Sequence, residues 1–173
     1  MIKRYLGIFL YASIMVSSQA LADKSSKKIF QDAYASTISQ IISNADCFSE
    51  DLELIKPTLL DDDGTGIETY QTRLNTDIFV DYNISKGGVT GATITTLPLP
   101  KKPEDELRFI CISAAVQSTI DKSNNLKQFE SINAKKLSSL DPNGRNKFES
   151  KNYEHDYYSD SEKRIIQIDK NDE

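Results

Sequence analysis

The sequence predicts an α+β fold: an N-terminal helix, a small antiparallel sheet, then one or two helices, stapled by one disulfide. Three observations predict it. Apolar residues recur at helical spacing over 27–48, alternate with a two-residue period between 67 and 97, and return to helical spacing after Pro103. Only two cysteines are present, Cys47 and Cys111.

Residues 1–22 read as a signal peptide. Lys3 and Arg4 precede an apolar run from Leu6 to Val16, and small residues at Ala20 and Ala22 form a cleavage site. The run is too short for a bilayer, which takes about 20 apolar residues. Cleavage after Ala22 would leave residues 23–173. Asp23, not a cysteine, stands directly after the cleavage point, so no lipid anchor is expected. The expected location is the periplasm or the exterior of a bacterium. Residues 23–140 are expected to form a single α+β domain. Residues 141–173 are expected to be an acidic, Tyr-rich hairpin or tail.

The whole chain has a net charge of −5, and loss of Lys3 and Arg4 takes it to −7. A balance this acidic argues against nucleic acid, whose phosphates call for a basic surface. It argues equally against an anionic membrane face. Export and a cysteine count of two point to one disulfide, Cys47 to Cys111. Closing that loop is worth roughly 4 kcal/mol by chain entropy.

The first helix is predicted over 27–48. Ile29, Phe30, Ala33, Tyr34, Ile38, Ile41, Ile42, Ala45 and Phe48 share one face, and Cys47 falls in the last turn. Leu52, Leu54 and Ile55 make a short apolar step before Pro57.

Residues 59–68, LLDDDGTGIE, could be a calcium loop, a contact surface or a turn. An EF-hand needs oxygen ligands at positions 1, 3 and 5, glycine at 6 and a glutamate at 12. Gly66 at position 6 brings Asp61, Asp63 and Thr65 into place but puts Thr72 at position 12. Gly64 at position 6 puts Leu59 first. The stretch therefore reads as a turn within an acidic surface, and no metal site is expected. Residues 50–68 hold Glu50, Asp51, Glu53, Asp61, Asp62, Asp63 and Glu68 against Lys56 alone. A charge excess this local can steer a basic partner.

The sheet is predicted from three strands. One runs near 67–74. A second places Ile78, Val80, Tyr82 and Ile84 on one face. Ser85, Lys86, Gly87 and Gly88 supply a tight turn, and the β-branched run 89–97 returns. Pro103 followed by Glu104, Asp105 and Glu106 starts a helix over 104–121, with acids at the positive end of its dipole. Its stripe is Leu107, Ile110, Cys111, Ala114 and Ala115, although 108–116 also reads as a strand. Leu126, Phe129, Leu137 and Leu140 mark a further helix over 125–140. Asp141, Pro142, Asn143 and Gly144 form a turn. Beyond it, Tyr153, His155 and Tyr157 alternate, as do Ile166 and Ile168. The segment is either a hairpin turning near 159–162 or a polar tail that orders on binding.

Catalysis has little support. The one histidine, His155, stands between Glu154 and Asp156 and reads as an exposed bystander. A Ser–His–Asp triad would have to use it, and no nucleophile elbow is present. The KGGVTG stretch, 86–91, lacks the spacing of a phosphate loop. The expectation is a protein that is not an enzyme and needs no cofactor. The favoured function is an exported binding protein of the immunity or inhibitor kind, its acidic surface meeting a basic toxin or lytic enzyme. Candidate contacts are Glu50, Asp51, Glu53, Asp61, Asp62, Asp63 and Glu68, joined by Tyr153, Tyr157 and Tyr158. One alternative is an accessory subunit of an envelope secretion or surface-fibre assembly, pairing through a strand edge or the tail. The other is a carboxylate-based hydrolase, since two acids can meet from anywhere in a fold.

Overall fold

The computed structural model of the chain describes residues 25–47, 52–62 and 64–171. The signal peptide expected at 1–22 lies outside them. Helix α1 covers 25–42. The helix expected to reach 48 therefore ends six residues early. A separate 3-10 turn, Ala45–Cys47, carries the cysteine. Short polar side chains cause the break. Ser43 Oγ donates to the Gln40 carbonyl, and Asn44 Nδ2 leaves the helix to bond Glu130 Oε1 at 2.7 Å.

Four strands follow: β1 Ile55–Asp62, β2 Glu68–Asn75, β3 Ile78–Ser85 and β4 Gly88–Thr96. Helices α2, Pro103–Ile120, and α3, Leu126–Ser138, come next. The chain closes with β5 Arg145–Glu149, β6 Tyr153–Ser159 and β7 Arg164–Lys170. All seven strands join one antiparallel sheet in the order β1-β2-β3-β4-β7-β6-β5. The mixed α+β architecture matches the expectation, but the sheet is larger than the small one expected. The last segment is neither a tail nor a lone hairpin, because β7 inserts between β4 and β6. The hairpin turn itself falls between Ser159 and Arg164, close to where the sequence puts it.

The two unforeseen strands lack a readable period. Strand β1 contains Pro57 and has register shifts between Ile55 and Thr58 and between Leu59 and Asp61. Each shift sets one extra β1 residue against β2, so alternation is lost. Strand β5 has Phe148 as its one large apolar residue. The strand alternative for 108–116 fails for the opposite reason. Every residue of α2 from Phe109 to Ile120 is buried, and a helix covered on all sides is a core helix, with apolar residues not confined to one stripe.

Register aligns the inner face into rows. One runs Tyr70, Tyr82, Ala92, Ile168, His155, Phe148. The next runs Thr72, Val80, Ile94, Ile166, Tyr157, Asn146. The helices cover this face: the Phe30 ring of α1 stacks on Tyr70 at 4.6 Å, and α2 and α3 reach β6 through Gln117 and Asn133. The opposite face is mostly polar, as in the row Gln71, Asp81, Thr93, Gln167, Asp156, Lys147, with Phe79, Ile165 and Tyr158 in the neighbouring row. A capping box starts α3: Asn125 Oδ1 accepts from the Gln128 amide, and Gln128 Oε1 accepts from the Asn125 amide.

Cys47 and Cys111 form a disulfide that fastens the 3-10 turn to the middle of α2. Among the described residues, no helix is long and apolar enough to cross a membrane.

Candidate functional site

Two places in the structure gather polar or exposed residues worth testing for function. The first is buried. His155 and Asp121 are 0% and 1% exposed, and His155 Nε2 donates to Asp121 Oδ2. The exposed bystander expected from the sequence is therefore a core residue. Alternation on β6 turns His155 inward, and the rings of Phe129 and Phe148 pack on it with centroids at 5.3 and 5.4 Å. Gln117 Nε2 donates to His155 Nδ1 at 3.1 Å and to Tyr157 Oη at 3.2 Å. Tyr157 Oη donates to Asn133 Oδ1 at 2.8 Å, and Asn133 Nδ2 donates back to Gln117 Oε1 at 2.7 Å.

Asn133 Nδ2 also donates to the Ile110 carbonyl at 3.4 Å, which sets the orientation of that amide and through it the Gln117 amide. The Gln117 oxygen is taken by Asn133, so its amide nitrogen must face the imidazole. Nδ1 is then an acceptor, and the ring is neutral with its proton on Nε2. Burial pushes the imidazole below its usual value, against the opposing pull of Asp121. Burial works to raise the Asp121 carboxyl. The Ser123 amide, the Ser150 and Ser123 hydroxyls and His155 outweigh that and hold it below the usual carboxylate range. Burial also pushes the Tyr157 phenol up to about 12. Both ring nitrogens of His155 are engaged inside the core, so neither faces a nucleophile or a substrate. The arrangement fixes packing between α2, α3 and β6.

The second place is exposed. Among the described residues, eight large apolar side chains stand open to solvent, and six of them lie between 42 and 67: Ile42, Leu54, Ile55, Leu59, Leu60 and Ile67. Ile42 is 61% exposed and Leu60 53%. Tyr34, Ala35, Ile38 and Ile42 on α1 form a shallow apolar groove with Leu54. The groove lies along the β1 border of the sheet. Phe30 stacks on Tyr70, and Tyr70 is the register partner of Leu59. Leu54 immediately precedes β1, so the groove lies where α1 meets the entry to that strand.

The expected contact residues distribute unevenly. Glu53 is exposed beside the groove. The backbone of Asp61 and Asp62 ends β1, and Gly64, Thr65 and Gly66 bend the chain into β2. Gly64 and Gly66 have φ of 74° and 88°, a region that suits glycine. The LLDDDGTGIE stretch is thus the end of a strand and a hairpin loop. Glu68 opens β2, where its Oε2 accepts from Tyr70 Oη at 2.6 Å. Glu50, Asp51 and Asp63 lie outside the described residues. Tyr153, Tyr157 and Tyr158 sit on β6, away from the β1 border. Tyr157 is fully buried and offers no contact surface, Tyr153 is half-buried, and Tyr158 points to the polar face. Periodicity places Ile42 on the core face of the first helix, so the groove is not evident from the sequence. The available signal was two adjacent leucines, Leu59 and Leu60, at the start of an acidic run.

A cleft of about 200 Å³ near the start of α2 brings Asp77 and Asp105 to one space with Lys101, Lys102 and Arg108. Arg108 holds Asp105 in an ion pair at 3.2 Å. No family model, curated protein or solved structure matches the chain.

Proposed function

We propose that this chain is an exported protein-binding protein of the immunity or inhibitor kind, whose acidic border meets a basic toxin or lytic enzyme. One observation carries the reading. The exposed large apolar residues concentrate between 42 and 67, overlapping the stretch 50–68 that holds seven acids against Lys56. Protein interfaces combine an apolar centre with a charged rim. A negative rim speeds association with a positive partner and lends specificity. The buried His155–Asp121 pair, closed off by its own hydrogen bonds, gives no support to a histidine-based enzyme.

The experiment is capture. The mature chain, 23–173, is exposed to periplasmic and secreted proteins of its own strain and its competitors, at low and high salt. A variant with Asp61, Asp62 and Asp63 all changed to Asn runs alongside. Retention of a basic toxin or lytic enzyme at low salt, lost in the variant, is the expected result. Binding indifferent to the three substitutions, or no captured protein at all, would sink the reading.

The envelope-assembly reading keeps its strand-edge route but has no free tail at β7, which is internal to the sheet.

A further inference from the structure

We infer that Cys47, Cys111 and Glu130 form a zinc site when the disulfide is reduced. The three residues come from different elements: Cys47 from the 3-10 turn, Cys111 from the middle of α2 and Glu130 from α3. One ligand atom from each lies within 4.8 Å of the other two. The contact between Cys111 and Glu130 points to a ligand. Glu130 Oε1 stands 3.1 Å from Cys111 Sγ. A disulfide sulfur carries no proton, so an acceptor oxygen gains no hydrogen bond there. A thiol at Cys111 would donate to that oxygen, and a divalent cation would bridge the two. The oxidised chain thus sets a carboxylate against a partner that suits it only after reduction.

The donor set fits zinc. Thiolate sulfur and carboxylate oxygen bind it at about 2.3 and 2.1 Å, which sets the ligand atoms of a tetrahedral site about 3.6–3.8 Å apart. The two Cα atoms are 5.2 Å apart, so both side chains reach one ion once the bond between them is broken. Calcium and magnesium take oxygen ligands, and thiolates select against them. Neighbours hold the carboxylate in place. Asn44 Nδ2 donates to Oε1 at 2.7 Å, and Lys127 Nζ pairs with Oε2 at 3.0 Å. Outer contacts of this kind orient a ligand and tune the metal. Two thiolates and one carboxylate exceed the charge of the ion by one, and Lys127 offsets the difference. Both cysteines are buried, whereas the Glu130 side chain is 15% exposed. The ion therefore enters on the carboxylate side, where water completes its fourth position.

Reduction is done with a water-soluble phosphine. Phosphorus takes the oxygen of one water and becomes the phosphine oxide, and the two sulfurs take the electron pair and both protons of that water as thiols. A dithiol does the same and becomes a disulfide itself. The metal then displaces both thiol protons to the buffer, because the thiolate is the ligand. Cobalt(II) is the probe. The reduced chain is expected to show a thiolate-to-cobalt charge-transfer band and the intense visible bands of tetrahedral cobalt, and added zinc is expected to bleach both. The oxidised chain is expected to show neither. Glu130→Gln and Asn44→Ala should each weaken cobalt binding by about tenfold or more. Unchanged melting of the oxidised variants confirms that they fold. Urea midpoints cover the case in which reduction unfolds the chain: zinc should raise the midpoint of the reduced protein and leave the oxidised one unmoved. No band in the reduced chain, equal cobalt affinity in Glu130→Gln, or a reduced midpoint that zinc does not shift would overturn the inference.

Discussion

His155 Nε2 lies 3.0 Å from Asp121 Oδ2, and the pair joins the middle of β6 to the end of α2 with almost no exposure to water. Both groups hold protons less tightly in the folded protein than they ordinarily would.

That relationship makes stability fall on acidification. The depressed His155 value means the unfolded chain binds more protons once pH drops toward about 6.5, and stability is lost from there downward. Asp121 acts in the same direction: its contribution is present above about 3.9 and is lost as pH falls through its lower folded value. The chain has one histidine, so no other side chain with an ordinary value titrates between about pH 5 and 7. Urea midpoints measured across that range should decline with acid, and a His155→Gln variant should show a flatter profile. Equal slopes would contradict the assignment.

Tyr157→Phe should destabilise by about 1–3 kcal/mol. The change leaves Asn133 Oδ1 without its donor and Gln117 without one acceptor, both buried. Tyr158→Phe, on the polar face, should stay within about 0.5 kcal/mol of wild type. Chemical denaturation of the two variants separates them.

Gly91→Ala tests the seam that joins the two halves of the sheet. Gly91 faces Asp169 across the β4–β7 pair, and an added Cβ would lie 2.4 Å from the Ile168 carbonyl oxygen. Backbone has to move to admit it. A loss of about 1–3 kcal/mol is expected, with faster amide exchange in β7. An unchanged exchange pattern would mean that the seam tolerates the methyl.

Replacing both cysteines by alanine should lower stability by about 4 kcal/mol, the chain-entropy value for a separation of 64 residues. The double variant leaves no lone thiol, so the denaturation midpoint reports the cross-link together with the buried sulfur contacts. A loss under about 1 kcal/mol would show that the unfolded chain is already constrained there.

Local pattern was enough for α2, α3 and the β3–β4 hairpin. Their signals lie within a few residues: Pro103 and the acids after it, the apolar side of Leu126, Phe129, Leu137 and Leu140, the alternation of Ile78, Val80, Tyr82 and Ile84 before a Gly-Gly turn. With two cysteines there was also only one pairing to consider within the chain. The acidic contact residues are read from charge and the tyrosines from their contact area, and structure redistributes both: Glu53 lies beside the groove, whereas Tyr157 is in the core.

The sequence by itself thus determined the mixed α+β class, the later helices, one hairpin, the disulfide partners and the concentration of acid between 50 and 68. Tertiary structure alone decided the rest. Ile94 finds Ile166 only when β7 inserts beside β4, and that insertion turns His155 from a polar-segment residue into the centre of a sealed circuit. Edge strands β1 and β5 bury one side or less, so they need no strict alternation and leave none to read. Helical and hairpin periods are set by neighbours along the chain. Burial is set by whatever the fold brings against a residue, and that partner is often a distant one.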